Sequence, residues 1–285
     1  MSTTIWIDGQ WRTPETAQIS VFDHGLLYGD GVFEGIRAYN GRIFKLREHI
    51  ARLYDSAHAI CLTPPMTQDE LVAVTEECYQ RSGLKDAYLR HLVTRGRGDL
   101  GLDPRKCPKP TVVVIADQIK LWSPELYEQG LSLVTAATPI PQRESLSPRV
   151  KSLNYLCHIL AKIEGTNAGA DEVLMMDSTG CVVEASGMNI FVVKNGQLST
   201  PPPSAGILRG ITRDTVMDLA REAGYPVHET ILNRYDVYTS DEAFLTGTAA
   251  EIAAIRSLDG RTVGEGRQGP ITRDLSRRFR ALVGG

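Results

Sequence analysis

Lys151 is the residue in this chain whose setting best suits amine chemistry. Of the other lysines, Lys45 and Lys162 fall in helical-looking stretches with charged neighbours, and Lys85, Lys106, Lys109, Lys120 and Lys194 sit in or beside polar loops. Lys151 stands in Arg149-Val150-Lys151-Ser152-Leu153-Asn154-Tyr155-Leu156, with a short apolar helical pattern directly after it. A lysine at the edge of a core can lose hydration, drop its pKa and become an imine-forming amine. Tyr155 lies four residues further on, so a helix through both would put them on one face. The plainer readings are a solvated surface charge for Lys151 and a core position for Tyr155.

Three further features suit an anion. Gly210-Ile211-Thr212 opens a helix, and a helix N-terminus presents unpaired N–H groups and a partial positive charge. Leu245-Thr246-Gly247-Thr248-Ala249-Ala250-Glu251 combines small residues that let backbone N–H groups approach a ligand with two hydroxyls. Arg52 follows Arg47, Glu48 and His49 on a helical pattern. Glu184 closes the apolar run Cys181-Val182-Val183-Glu184 ahead of Ala185-Ser186-Gly187, where a carboxylate could pair with a protonated ring nitrogen. Taken singly, these read first as a helix cap, a tight turn, a solvated charge and a strand-end carboxylate.

The chain around them has 285 residues, 42% hydrophobic and 23% charged, with a net charge of −3. That length allows two modest domains or one large one. No basic stripe points to nucleic acid. No run approaches the roughly 18 apolar residues that span a bilayer. The start Met1-Ser2-Thr3-Thr4-Ile5-Trp6 does not have the pattern of a signal peptide. Five scattered cysteines without a C-x-x-C pair fit free thiols in a reducing cytoplasm. The six histidines form no metal-ligand spacing, so no metal is expected.

Periodicity supplies the elements that position these residues. A strand, turn and strand run over Thr4 to Trp11, and a strand covers Val32 to Tyr39. Leu46, Ile50, Leu53, Ala57 and Ile60 share one helical face, and Thr67-Gln68-Asp69-Glu70 is a capping box for a second helix ending near Gly83. Strands follow at Ala87 to Thr94 and Thr111 to Ala116, then a connector from Asp117 to Gly130. Beyond it come a strand at Leu131 to Ala137, a helix at Leu153 to Glu164, and strands at Glu172 to Met176, Val182 to Glu184 and Asn189 to Val193. A helix from Gly210 to about Ala223, strands at Val227 to Leu232, Ala243 to Leu245 and Glu251 to Ile255, and a helix from Ile271 to Val283 complete the pattern. The expected fold is α/β (mixed α+β). It has a small N-terminal α/β domain at 1–117, an interdomain loop at 118–130, and a larger C-terminal mixed β domain with helices at 131–285.

Together these segments resemble the fold-type IV pyridoxal-phosphate enzymes, and most closely the branched-chain amino acid aminotransferases. The resemblance rests on Tyr28-Gly29-Asp30-Gly31-Val32-Phe33-Glu34-Gly35-Ile36-Arg37, Arg47 to Leu53, Lys151 to Tyr155, Glu184 to Phe191, Gly210 to Asp214 and Thr246 to Ile252, in family order. It implies that Lys151 bonds the cofactor, pyridoxal 5′-phosphate, and moves the substrate proton. Tyr155 would hydrogen-bond the cofactor's phenolic oxygen, and Glu184 would pair with its ring nitrogen. Arg52, the N–H groups of Ile211 and Thr212, and Thr248 would bind the phosphate. It further implies that Tyr88, Arg90 and the N–H groups of Thr248 and Ala249 lie near the substrate α-carboxylate, with Phe33, Gly35 and Ala250 lining the side-chain pocket. Arg97 or Arg90 would receive the second carboxylate of glutamate. Family members are homodimers, and Tyr28 and Leu102 would come from the neighbouring subunit.

The expected reaction is transfer of the amino group of leucine, isoleucine or valine to 2-oxoglutarate by a ping-pong mechanism. A D-amino acid aminotransferase and an aminodeoxychorismate lyase share the cofactor geometry, and a non-catalytic carrier of the cofactor is the alternative outside enzymes. Glu34-Gly35-Ile36-Arg37, Tyr155 and the lack of an R-x-H carboxylate trap in Gly96 to Pro104 favour the branched-chain group.

Overall fold

The protein is described by a computed structural model covering residues 3–284. Met1, Ser2 and Gly285 lie outside the described residues, and so does the start of the segment read above against a signal peptide. The chain forms two compact units. One holds the residues up to Ile119 together with Val150–Asn154, and the other holds Lys120–Arg149 and the residues from Tyr155 on.

The first unit is an antiparallel sheet carrying helices. Its strands are β1 (Thr4–Ile7), β2 (Gln10–Arg12), β3 (Gly31–Tyr39), β4 (Arg42–Ile43), β5 (Ala87–Thr94) and β6 (Thr111–Asp117), in the order β2-β1-β6-β5-β3-β4. Helix α1 (His24–Tyr28) precedes β3, and α2 (Leu46–Ala59) and α3 (Gln68–Ser82) lie between β4 and β5. The apolar face predicted for α2 is buried: Ile50, Leu53 and Ala57 pack with Ile36, Leu89 and Val114 of the sheet. Burying each such large side chain contributes about 1.5–3 kcal/mol. The capping box of α3 forms, with Glu70 N–H donating to Thr67 Oγ1 at 3.2 Å and Thr67 N–H donating to Glu70 Oε2 at 2.6 Å. Helix α1 escaped the periodicity because a five-residue helix is held by its ends. Gly25 N–H donates to Asp23 at 2.8 Å, and Gly29 closes it at φ 69°.

The second unit is a nine-stranded mixed sheet with helices. Its elements are α4 (Pro124–Gln129), β7 (Leu131–Thr135), α5 (Leu156–Asn167), β8 (Glu172–Met176), β9 (Val182–Ala185), β10 (Asn189–Lys194), β11 (Gln197–Thr200), α6 (Ile211–Glu222), β12 (Val227–Glu229), α7 (Arg234–Tyr238), β13 (Glu242–Gly247), β14 (Glu251–Leu258), β15 (Arg261–Thr262) and α8 (Pro270–Val283). The order is β12-β11-β10-β13-β14-β7-β8-β9, with β15 on β14. Leu131, Leu174, Ile190, Leu245 and Ile255 form its centre.

Three expectations need correction. The connector contains helix α4, started by a Ser123 cap and Pro124 in the first turn. The strand expected at Val227 to Leu232 stops at Glu229, and Leu232 makes only an isolated bridge to Val182. The helix expected from Leu153 starts at Leu156, so Lys151 and Tyr155 do not share a helical face. Residues 151–153 are drawn instead into pairing with β3. Phe33 N–H donates to the Lys151 carbonyl at 3.0 Å, Leu153 N–H to that of Gly31 at 2.9 Å, and Ser152 bridges Val32.

Candidate active site

In the first unit, β3 and β5 are paired with Gly35 opposite Arg90, and Phe33 and Tyr88 of the expected substrate residues lie beside them. The Arg90 guanidinium lies 4.8 Å from the Phe33 ring centre and 5.4 Å from that of Tyr88, and its Nη2 donates to Tyr88 Oη at 3.1 Å. Lys151 Nζ stands 4.5 Å from the centre of the same Phe33 ring. Position 35 has no room for a side chain, since a Cβ there would run into Tyr88 Oη. Phe33, Gly35, Tyr88, Arg90 and Lys151, all singled out in the sequence, are thus neighbours in space. Arg97 is exposed and bridges Asp23 outside this cluster. Tyr28, partly exposed, donates from Oη to the Leu100 carbonyl at 2.5 Å, and Leu102 is exposed.

Arg52 is not the solvated charge of the plainer reading. Its Nε donates to Glu34 Oε1 at 2.6 Å and its Nη2 to Glu34 Oε2 at 2.9 Å, with the guanidinium side chain 16% exposed and the carboxylate fully buried. His49 Nδ1 donates to Glu34 Oε2 at 2.9 Å, and Gly35 N–H to the same oxygen at 3.2 Å. Strand alternation sends Glu34 to the face opposite Phe33 and Gly35, towards α2, where His49 and Arg52 lie three residues apart. Burial works to raise the Glu34 pKa. The Arg52 charge and the His49 hydrogen bond outweigh it and hold the carboxyl well below the usual range. Burial is the largest influence on His49 and lowers its pKa against the pull of Glu34. Sequence reading missed Glu34 and His49 as a unit with Arg52. The only local trace was the three-residue spacing of His49 and Arg52.

His91 lies across the sheet from Glu34. Burial pushes its pKa down to about 3. Thr75 Oγ1 donates to the Leu71 carbonyl at 2.7 Å and lies 2.8 Å from His91 Nε2, so Nε2 carries the ring proton and Nδ1 is left without a partner.

In the second unit, Glu184 is 5% exposed. Its Oε2 accepts from Leu208 N–H at 3.2 Å and from Asn189 Nδ2 at 3.4 Å, both neutral donors. Asn189 Nδ2 also donates to the Leu208 carbonyl at 2.9 Å, and Asn189 pairs with Thr246 across β10 and β13. The same Asn189 faces Gly210, the residue that opens α6, where a Cβ would collide with Asn189 Oδ1. No side chain caps α6, so its first N–H groups, those of Ile211 and Thr212 included, are not satisfied by a cap. Thr246 Oγ1 is buried without a partner at the end of β13, next to the turn of Thr248, Ala249 and Ala250. Tyr155 stands just ahead of α5, its ring stacked on His158 at 4.4 Å. A buried carboxylate, an uncapped 12-residue helix and a hydroxyl-bearing turn, linked through Asn189, match a ligand with a protonated ring nitrogen at one end and a phosphate at the other.

The comparisons with known proteins agree with this chemistry. The model of the amino-transferase class IV family matches residues 31–258, and the chain belongs to that family, with its fold-type IV architecture. A relative from Methanocaldococcus jannaschii is 51% identical over 278 residues, covering 98% of this chain and 96% of its own. The branched-chain-amino-acid aminotransferase of Pseudomonas aeruginosa is 39% identical over 289 residues, covering 99% of this chain and 93% of its own. The structure of the T.th. branched-chain amino acid aminotransferase, complexed with N-(5′-phosphopyridoxyl)-L-glutamate, superposes with a TM-score of 0.94 at 35% identity, over 99% of this chain and 94% of that one. Within class IV, these relatives set the chain among the branched-chain amino acid aminotransferases.

Proposed function

We propose that this chain transfers the amino group of leucine, isoleucine or valine to 2-oxoglutarate with pyridoxal 5′-phosphate, in a ping-pong cycle that yields branched 2-oxo acids and L-glutamate. The observation that carries the reading is the link through Asn189 between buried Glu184 and the uncapped start of α6. When bound, the cofactor carries the amino group and accepts electrons from the substrate Cα. The chain's residues do the rest. Lys151 Nζ would hold the cofactor and, when free, would take the proton from the substrate Cα. Glu184 keeps the ring nitrogen protonated, and Tyr155 donates to the phenolic oxygen. Arg52, the N–H groups of Ile211 and Thr212, and Thr248 hold the phosphate. Tyr88, Arg90 and the N–H groups of Thr248 and Ala249 orient the α-carboxylate. Phe33, Gly35 and Ala250 receive the apolar side chain, and Arg90 or Arg97 receives the second carboxylate of glutamate.

The working form is a homodimer, with Tyr28 and Leu102 acting in the neighbour's site. Leu156, Ile159, Leu160 and Ile163 are exposed at helical spacing along α5, an apolar stripe that a second copy would cover. Ile159→Glu is expected to shift the protein to monomer in sedimentation velocity, and an unchanged dimer would remove α5 from the interface. The protein is assigned to the cytoplasm, in keeping with its five free cysteines. Among the described residues no helix is long and apolar enough to cross a membrane.

Visible absorbance of the holoenzyme during additions of single amino acids, without any oxo acid, tests the reaction. L-Leucine or L-valine should convert the enzyme-bound cofactor to its amine form, and D-alanine should not. Conversion by D-alanine alone would point to a D-amino acid aminotransferase, and no conversion by either to the lyase or to a non-catalytic carrier.

A further inference from the structure

We propose that Glu34 is a positioning residue for cofactor binding, and that it acts only through Arg52. The proposal rests on the assignment of Arg52 to the phosphate made above. Arginine is long and flexible, and a guanidinium that must meet a phosphate loses rotamer freedom when it does so. Here the fork is already fixed. Two parallel N–H···O bonds, from Nε and Nη2, hold Arg52 on both oxygens of Glu34. Glu34 is itself immobile, with its oxygens also bound by His49 Nδ1 and Gly35 N–H and its side chain closed off from solvent.

Charge makes the arrangement mutual. A fully buried carboxylate needs a permanent cation. An imidazole is not a permanent cation, and burial weighs further against charge on His49. Arg52 is one. The guanidinium is therefore held in place before any phosphate arrives, and its ordering is not charged against cofactor affinity. The same pairing explains why an arginine stands here. A lysine ammonium would satisfy the charge but would not present two parallel donors in one plane.

The test is a double-mutant cycle on pyridoxal-phosphate affinity, measured by titrating apoprotein, with the phosphorus NMR shift of the bound cofactor as second readout. Arg52→Met is expected to raise the Kd about tenfold or more, and Glu34→Gln about tenfold, the scale of one charge-assisted hydrogen bond. In the Arg52→Met background, Glu34→Gln should add nothing, and the phosphorus shift should move in Glu34→Gln as it does in Arg52→Met. If Glu34→Gln weakens binding equally in both backgrounds, Glu34 acts on the fold at large and the proposal is overturned. Wild-type affinity in Glu34→Gln, with Arg52→Met impaired, also overturns it while leaving the proposed function intact. Wild-type affinity in Arg52→Met removes Arg52 from the phosphate instead. Should Glu34→Gln fail to fold, His49 gives a second route. His49→Leu should raise the Kd about threefold, and His49→Asn, whose amide can stand in for Nδ1–H, should restore it. Equal Kd values for His49→Leu and wild type would count against the proposal.

Discussion

Glu34 and Glu184 are both buried carboxylates on strands, yet they are held by opposite means. Glu34 in the first unit is gripped by a guanidinium, an imidazole and a backbone N–H. Glu184 in the second unit accepts from an amide and a backbone N–H, neither of which carries charge. A buried carboxylate whose charge is balanced inside its own unit is committed to the side chain that balances it, here Arg52. Glu184 is oriented by two neutral donors, and in the function proposed above its charge is directed at the cofactor ring. Partner type, more than depth of burial, separates the two roles.

The largest effect that would sharpen this contrast is catalytic. Glu184→Gln is expected to lower kcat by about 10²–10³, as when a preorganised electrostatic partner is lost, with the phosphate end of the cofactor still bound. Near-wild-type kcat in single-turnover assays would break the contrast from that side. Stability should show the reverse order. Glu34→Gln is expected to cost the apoprotein about 2–4 kcal/mol, because a partly buried Arg52 loses its counter-charge. Glu184→Gln, which keeps an acceptor oxygen for Leu208 N–H, should cost about 1 kcal/mol or less. Urea unfolding of the two variants decides, and equal losses would mean that both carboxylates are structural.

Acid should act on the first unit through its histidines before it reaches Glu34. The folded pKa of His91 is about 3 against an ordinary 6.5, so its contribution is complete above pH 6.5 and is lost as pH falls towards 3. Glu34 is likewise lowered, from 4.5, so its contribution begins to fade only below that value. Wild type is expected to lose about 2 kcal/mol of stability between pH 6.5 and about pH 4.5 from burial of neutral His91. His91→Leu should lose correspondingly less, and parallel urea midpoints at the two pH values would refute the assignment. The smallest expected effect is a control far from either carboxylate. Thr67→Ala, which removes the cap of α3, should cost about 1 kcal/mol and leave cofactor affinity unchanged in the same titration.

The asymmetry between the two glutamates also marks what the sequence could tell. Glu184 was legible because its chemistry is local, an apolar strand ending in a carboxylate before three small residues. Gly210-Ile211-Thr212 was legible for the same reason, as a helix start that offers unpaired N–H groups. Glu34 was visible only as a letter in a motif. Its meaning depends on His49 and Arg52, 15 and 18 residues away, and on the pleat that turns it towards α2. The same limit displaced the helix after Lys151. The apolar period was real, but β3 recruits the backbone of residues 151–153, and no periodicity records a pairing with residues 31–33. Helix α4 was missed for a different reason: Ser123-Pro124 is a sound start signal, yet six residues are too few for a period to emerge.

The segment Val150–Asn154 belongs to the first unit, while the chain on either side of it belongs to the second. During synthesis, therefore, the first unit cannot be completed when its own 119 residues have emerged. The backbone of β3 at Gly31 and Phe33 stays open until residues 151–153 arrive, a loop closure over more than a hundred residues and an intrinsically slow one. An unpaired strand edge of that kind is a template for association with a second chain. The lysine proposed for the chemistry is thus carried by the last strip to seal the first unit. A chain cut short before Lys151 lacks both its amine and the cover of its sheet.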